Sequence, residues 1–212
     1  MKTDDLIRAL AADPEVEKTP LSRALLYGLV PGILVSLLLY GPLIGPRPQL
    51  LAVITEPRIL FKILYPLAVF ACAGPLALQL ARPTGNARPL VAILGVLLLV
   101  LIGAVIIELF VLPRDLWRVR LIGHNALVCM VLIPSFSAAP LVGALIALHR
   151  GAPDNPGLAG AAAGLLAGAF GAALYATHCP DDSPLFVATW YGLAVLVVMA
   201  VGALAGSRFL RW

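Results

Sequence analysis

Gly157 to Gly206 decides the fold: GLAGAAAGLLAGAFGAALYAT over 157–177, HCPDDSP over 178–184, and LFVATWYGLAVLVVMAVGALAG over 185–206. Both apolar runs reach the roughly 20 residues that a helix needs to cross hydrocarbon. So few polar residues between them make the two helices antiparallel neighbours. The turn places Cys179 beside His178, with Asp181 and Asp182 close by and Pro180 and Pro184 restricting the backbone. One reading is structural: the prolines end one helix and start the next, and the aspartates keep the turn wet. The other is chemical, because a polarizable sulfur among hard oxygen ligands can report redox state or metal. A second cysteine, Cys129, favours the chemical reading.

The surrounding composition is that of an integral membrane protein. Of 212 residues, 61% are hydrophobic and 12% charged, and the mean hydropathy is +0.98, far above soluble domains. No length remains for a soluble catalytic domain. The net charge of +4 is scattered over loops and ends, which argues against direct nucleic-acid binding. Three cysteines without a CxxC pattern exclude a disulfide framework and the common zinc motifs.

Six apolar segments are expected to cross the membrane, at about 24–44, 60–80, 90–112, 122–148, 157–177 and 185–206. The fold class is an all-α bundle of six transmembrane helices. With the amino terminus in the cytoplasm, nine Lys and Arg fall on the inner side and six, including Lys62, on the outer side. That bias places both termini inside and the 178–184 turn outside. Residues 1–23 then form a cytoplasmic tail. Thr3 can cap a short helix with Asp4 and Asp5 in its first turn and Leu6, Ile7 and Leu10 on one face, until Pro14 stops it. Such a stripe suits a protein partner or the lipid headgroup level.

Gly157, Gly160, Gly164, Gly168 and Gly171 recur at spacings of three and four, which predicts close backbone packing on the fifth segment. Gly202 and Gly206 repeat the pattern in the sixth segment, and Ala139, Gly143 and Ala147 in the fourth. The fourth, fifth and sixth segments are therefore expected in mutual contact, with a homodimer through the same stripe as the alternative. Counted outward from the 150–156 loop, Cys129 and Cys179 lie about 30 and 35 Å along antiparallel helices. Both sulfurs thus end near one membrane face, with Cys179 in a turn free enough to meet disulfide geometry. Cys72 lies too deep to join them and reads as packing. His124 and His178 would complete a soft-metal set with the two thiols, suiting a transient copper or heavy-metal ion, although the spacing matches no standard site. Glu108 lies near the outer end of the third segment, within reach of water or of Arg114 and Arg118. Trp117, Trp190, Tyr191 and Trp212 read as interfacial anchors.

Met1-Lys-Thr-Asp-Asp-Leu-Ile-Arg, Ile133-Pro-Ser, Pro140-Leu and, most specifically, His178-Cys-Pro-Asp-Asp-Ser-Pro-Leu-Phe186 through Trp190-Tyr resemble the NrsF family, negative regulators of sigma factor F. The resemblance runs over the whole chain. It implies a six-helix inner-membrane anti-sigma factor that restrains an extracytoplasmic-function sigma factor and releases it under metal or oxidative stress. By motif, the family's periplasmic-side sensing cysteines fall on Cys129 and Cys179. The His-x3-Cys-x2-Cys zinc motif of the other large anti-sigma class is absent. The expected protein is therefore a regulator rather than an enzyme, its partners a sigma factor and membrane lipid. The competing expectation is a small metal or proton-coupled transporter using Glu108.

Overall fold

The computed structural model describes residues 19–211, and every regular element among them is helical. Six helices are long and apolar enough to span a membrane. They are α1 (Leu21–Leu43), α2 (Pro57–Leu80), α3 (Arg88–Val111), α5 (Ala126–Leu148), α6 (Pro156–Ala176) and α7 (Pro184–Phe209). A nine-residue helix, α4 (Arg114–Ile122), precedes α5, where the sequence suggested only a loop and the start of the fourth span. Asp115 in its first turn and Arg120 in its last complement the helix dipole. Gly123 ends it at φ +57°, and a Cβ there would also fall 2.5 Å from the Phe186 ring. Only glycine meets both demands. The tail residues Asp4, Asp5, Leu6, Ile7 and Leu10 lie outside the described residues, as does Trp212.

Helix α6 occupies the centre, packed on α7, α2 and α5. Its glycines set the spacing. A Cβ at Gly160 would lie 2.2 Å from the Gly202 carbonyl oxygen of α7, and one at Gly171 would lie 2.3 Å from Ser137 Oγ of α5. The fourth to sixth apolar segments are thus in mutual contact, and the glycine stripe is spent inside the chain. The small residues of the fourth segment are the exception. Gly143 lies against Gly28 of α1, with a Cβ-to-carbonyl separation of 2.0 Å, and Ala147 and Ala139 meet Gly28 and Gly32. They pack on the first helix instead of the fifth and sixth, because Gly28 and Gly32, four residues apart, supply a matching stripe. Ser36 Oγ fastens the same interface by donating to the Phe136 carbonyl at 2.7 Å.

Helix α3 is the outlier. Only Leu101 and Glu108 of it are buried, and an apolar cavity of about 490 Å³ separates Leu98 and Leu101 from Ala169, Ala172, Val187 and Tyr191. It is held at its ends. At one, the Cys72 thiol donates to the Leu90 carbonyl at 3.5 Å; at the other, Glu108 enters the site described below.

The connections divide between two ends of the bundle. At one end the Ala152 amide donates to the Ala81 carbonyl at 3.0 Å, and His149 Nδ1 lies 2.6 Å from the Phe209 carbonyl. The other end gathers residues 44–56, 112–125 and the 178–184 turn. Gly160→Val should lower the stability of the purified protein by about 1–3 kcal/mol through overpacking, read as a lowered thermal midpoint in detergent. Gly103→Ala, whose new Cβ meets nothing within 4 Å, should leave it unchanged or slightly raised.

Candidate functional site

The 178–184 turn is bound by side chains or backbone of every other connection at its end of the bundle. From the α1–α2 connection, the Arg47 amide donates to the Thr177 carbonyl at 3.1 Å. The Arg47 guanidinium pairs with Asp182 at 3.0 Å. His178 Nδ1 lies 2.9 Å from the Gly45 carbonyl, and the Tyr40 hydroxyl meets that of Thr177. From the α4–α5 connection, the His124 and Asn125 amides and the Asn125 side chain donate to Asp181 at 3.1, 3.0 and 3.2 Å. Asp181 thereby caps the start of α5 from another part of the chain, a carboxylate at a helix amino terminus.

Glu108 does the same for α7. Its Oε2 accepts from Ser183 Oγ at 2.7 Å and from the Leu185 amide at 2.8 Å. Ser183 itself makes no capping bond from its side chain, so the carboxylate of α3 takes that role. Glu108 is 4% exposed and makes no pair with Arg114 or Arg118 among the described residues. The expectation of a water-facing or arginine-paired carboxylate is therefore corrected. The α7 amino terminus folds back over α3 and offers it better donors.

Lys62 lies at the centre. It was counted among the outer loop charges, but it sits in the second turn of α2 with 0% exposure. Its ammonium donates to the Cys179 carbonyl at 2.6 Å, the Asp181 carbonyl at 2.9 Å and Asp182 Oδ1 at 3.0 Å. All three N–H bonds are used, as burial of an ammonium requires. The sequence signal available was its place just inside a Pro-initiated helix whose spacing leaves it on the same face as Pro66 and Ala73, and it is weak.

Cys129 and Cys179 are both free thiols with 0% exposure. They belong to one buried cluster with Tyr175, Phe186, Val187 and Tyr191. The structure thus brings together the pair singled out in the sequence. Tyr191, expected at the interface, is buried here instead, because a π-turn at Val187–Tyr191 widens the start of α7 and rolls its ring inward. The Tyr175 and Tyr191 hydroxyls find no hydrogen-bond partner among the described residues, in the same buried cluster as the two thiols. Trp117 and Trp190 are half-buried, their indole N–H groups donating to the Leu112 and Leu121 carbonyls at 3.1 and 2.7 Å.

The Cys179 thiol is lowered to about 6. The Cys129 thiol donating to it is the largest cause and outweighs burial, followed by the Lys62 charge and the Asp181 backbone N–H. The histidines do not join this pair. The His124 ring is 86% exposed beside Asp181, and His178 is turned to Gly45. No group of three or more His, Cys, Asp or Glu side chains among the described residues is arranged to hold a metal ion. The four-ligand set of Cys129, Cys179, His124 and His178 is therefore not assembled, because the loops use both imidazoles elsewhere. Cys72, 8% exposed, is a packing residue of α2.

Glu108→Ala should destabilise the protein by about 2–4 kcal/mol, since it strips a charged acceptor from two buried donors. Glu108→Gln, which keeps an acceptor oxygen, should cost less than half of that in the same denaturation experiment.

The comparisons agree over the full chain. The family described as "Negative regulator of sigma F", NrsF, matches residues 10–212. The anti-sigma-F factor NrsF of Caulobacter vibrioides is 37% identical over 216 residues, covering 100% of both chains. The probable anti-sigma-F factor NrsF of Azospira oryzae is 35% identical over 217 residues, again covering 100% of both. No solved structure matches. A family match over nearly every residue, with two full-length relatives above one-third identity, means that the chain belongs to the NrsF family.

Proposed function

We propose that this protein is a multi-pass anti-sigma factor of the bacterial inner membrane. It holds an extracytoplasmic-function sigma factor at the cytoplasmic face and releases it when Cys129 and Cys179 react with an oxidant or a soft metal on the periplasmic side. The observation that carries the reading is the buried Cys129–Cys179 pair in a chain whose full-length relatives are named anti-sigma-F factors. The tail docks its Leu6, Ile7 and Leu10 face, flanked by Asp4 and Asp5, on the sigma factor.

The same geometry supports a route between the two ends. Thr177 and His178, immediately before Cys179, are hydrogen-bonded to Tyr40, Gly45 and Arg47 at the end of α1. The other end of α1 leads to the tail. A change at the thiols moves the turn, and the turn moves α1. Transport is the weaker reading, because Glu108, its coupling group, is occupied in capping α7.

Deleting residues 2–14 should abolish co-purification of the sigma factor from solubilised membranes and raise sigma-dependent reporter transcription to the fully induced level. Cys129→Ser and Cys179→Ser should each retain the sigma factor but blunt reporter induction by oxidant or cadmium. Full induction in both cysteine variants would remove the sensing role, and continued sigma retention by the truncated protein would remove the docking role.

A further inference from the structure

The two thiols have unequal surroundings. Cys179 lies in the turn itself, its sulfur buried in one cluster with Cys129, Tyr175 and Tyr191. The Lys62 ammonium is anchored 2.6 Å from the carbonyl oxygen of that same residue. Lys62 and Arg47 share the single carboxylate of Asp182, so the trio carries one positive charge in excess beside Cys179. The other nearby carboxylates are Asp181, hydrogen-bonded at the start of α5, and Glu108, hydrogen-bonded at the start of α7. Cys129 lies in the first turn of α5, on a helix and outside the turn whose carbonyls hold Lys62.

We propose that Cys179 is the attacking thiol of the pair, positioned by the buried Lys62 whose ammonium is bonded to its carbonyl, and that Cys129 is the resolving thiol. This rests on the sensing role proposed above and adds the order of events and the residue that sets it. The Cys179 thiolate attacks one oxygen of a small hydroperoxide. The O–O bond breaks, and with one proton the leaving oxygen departs as water or an alcohol, giving a sulfenic acid. The Cys129 sulfur then displaces that hydroxyl. Its own proton leaves with the hydroxyl as water, and the S–S bond forms. Lys62 touches neither oxidant nor leaving group and acts as a positioning residue.

The test uses the full-length protein in detergent, treated with hydrogen peroxide in the presence of dimedone. Peptide mass spectrometry reads sulfenic acid at Cys179 in the Cys129→Ser protein and at Cys129 in the Cys179→Ser protein. Cys179 should label faster. In the Cys129→Ser background, Lys62→Met should slow labelling of Cys179 at pH 6 by about three- to twentyfold, the lost thiolate outweighing the higher nucleophilicity of each remaining thiolate. Near pH 10 the order should reverse, with Lys62→Met reacting faster than its parent. A purely structural lysine would produce no such crossing. Asp182→Asn removes the counter-charge and should move the rate–pH profile the other way, to lower pH, which keeps the test decisive where Lys62→Met fails to fold. Faster labelling of Cys129, or profiles for both variants that superimpose on the parent, overturns the assignment. If the labelling order holds while sigma release is indifferent to Cys179→Ser, the sensing role falls and the assignment of the reactive thiol stands.

Discussion

One buried ammonium organises the end of the bundle that holds the 178–184 turn. Moving a charged lysine from water into a helix bundle costs several kcal/mol, and the cost is recovered only if each N–H finds an acceptor and a counter-charge lies close. Lys62 meets both conditions on the four residues from Cys179 to Asp182. The consequence is positional. The turn that follows α6 cannot relax outward without leaving a charge unpaired, so the Cys179 backbone is fixed against α2 while its side chain reaches into the cluster around Cys129. The 5.8 Å approach of the same ammonium to the Tyr191 ring adds a cation–π contact from α7. Helices α2, α6 and α7 therefore share one electrostatic centre.

Around that centre the helix ends are capped across the fold instead of locally. Asp181 serves α5 and Glu108 serves α7, each from a distant part of the chain. A local cap stabilises one helix, whereas these bonds make the start of one helix conditional on the position of another. Helix α3 shows the effect most clearly. Its sides are mostly exposed and a cavity lies beneath it, so Glu108 is one of the few features that fix its place. The carboxylate that reads in the sequence as a stray charge in a span is a bracket between α3 and the 178–184 turn.

Local chemistry in the sequence was enough to read the spans, the central place of the glycine-rich helix and the meeting of Cys129 with Cys179, because hydropathy, small-residue spacing and register count act along one or two neighbouring helices. The partners of Glu108, Lys62 and Tyr191 were not legible. Lys62 is separated from its acceptors by 117 to 120 positions, and nothing in its own segment distinguishes a buried lysine from one that snorkels to the headgroups. Tyr191 depends on a π-turn whose extra residue per turn leaves no pattern in composition. The contact of Gly143 with Gly28 was missed for a related reason: Gly28 and Gly32 are a stripe of two, easily passed over beside the five glycines of α6.

The position of α1 follows from these contacts and bears on how a chemical event at the turn reaches the opposite side. Its carboxyl-terminal end is tied to Thr177 and His178, next to Cys179. Along its length it rests on α5, where Gly28 and Gly32 bring the two backbones close and Ser36 bonds the Phe136 carbonyl. Cys129 lies on that same α5. Helix α1 thus has two supports, one leading to each thiol. A bond between the sulfurs would alter the relation of the supports to each other, and a rigid helix of 23 residues, about 34 Å long, has no means of absorbing the mismatch locally except at Pro31 and Pro42. Pro42 lies beside the tied end and Pro31 beside the glycine contact. On the route proposed above, α1 would bend at these two prolines and carry the rest of the displacement to the end that leads to the tail.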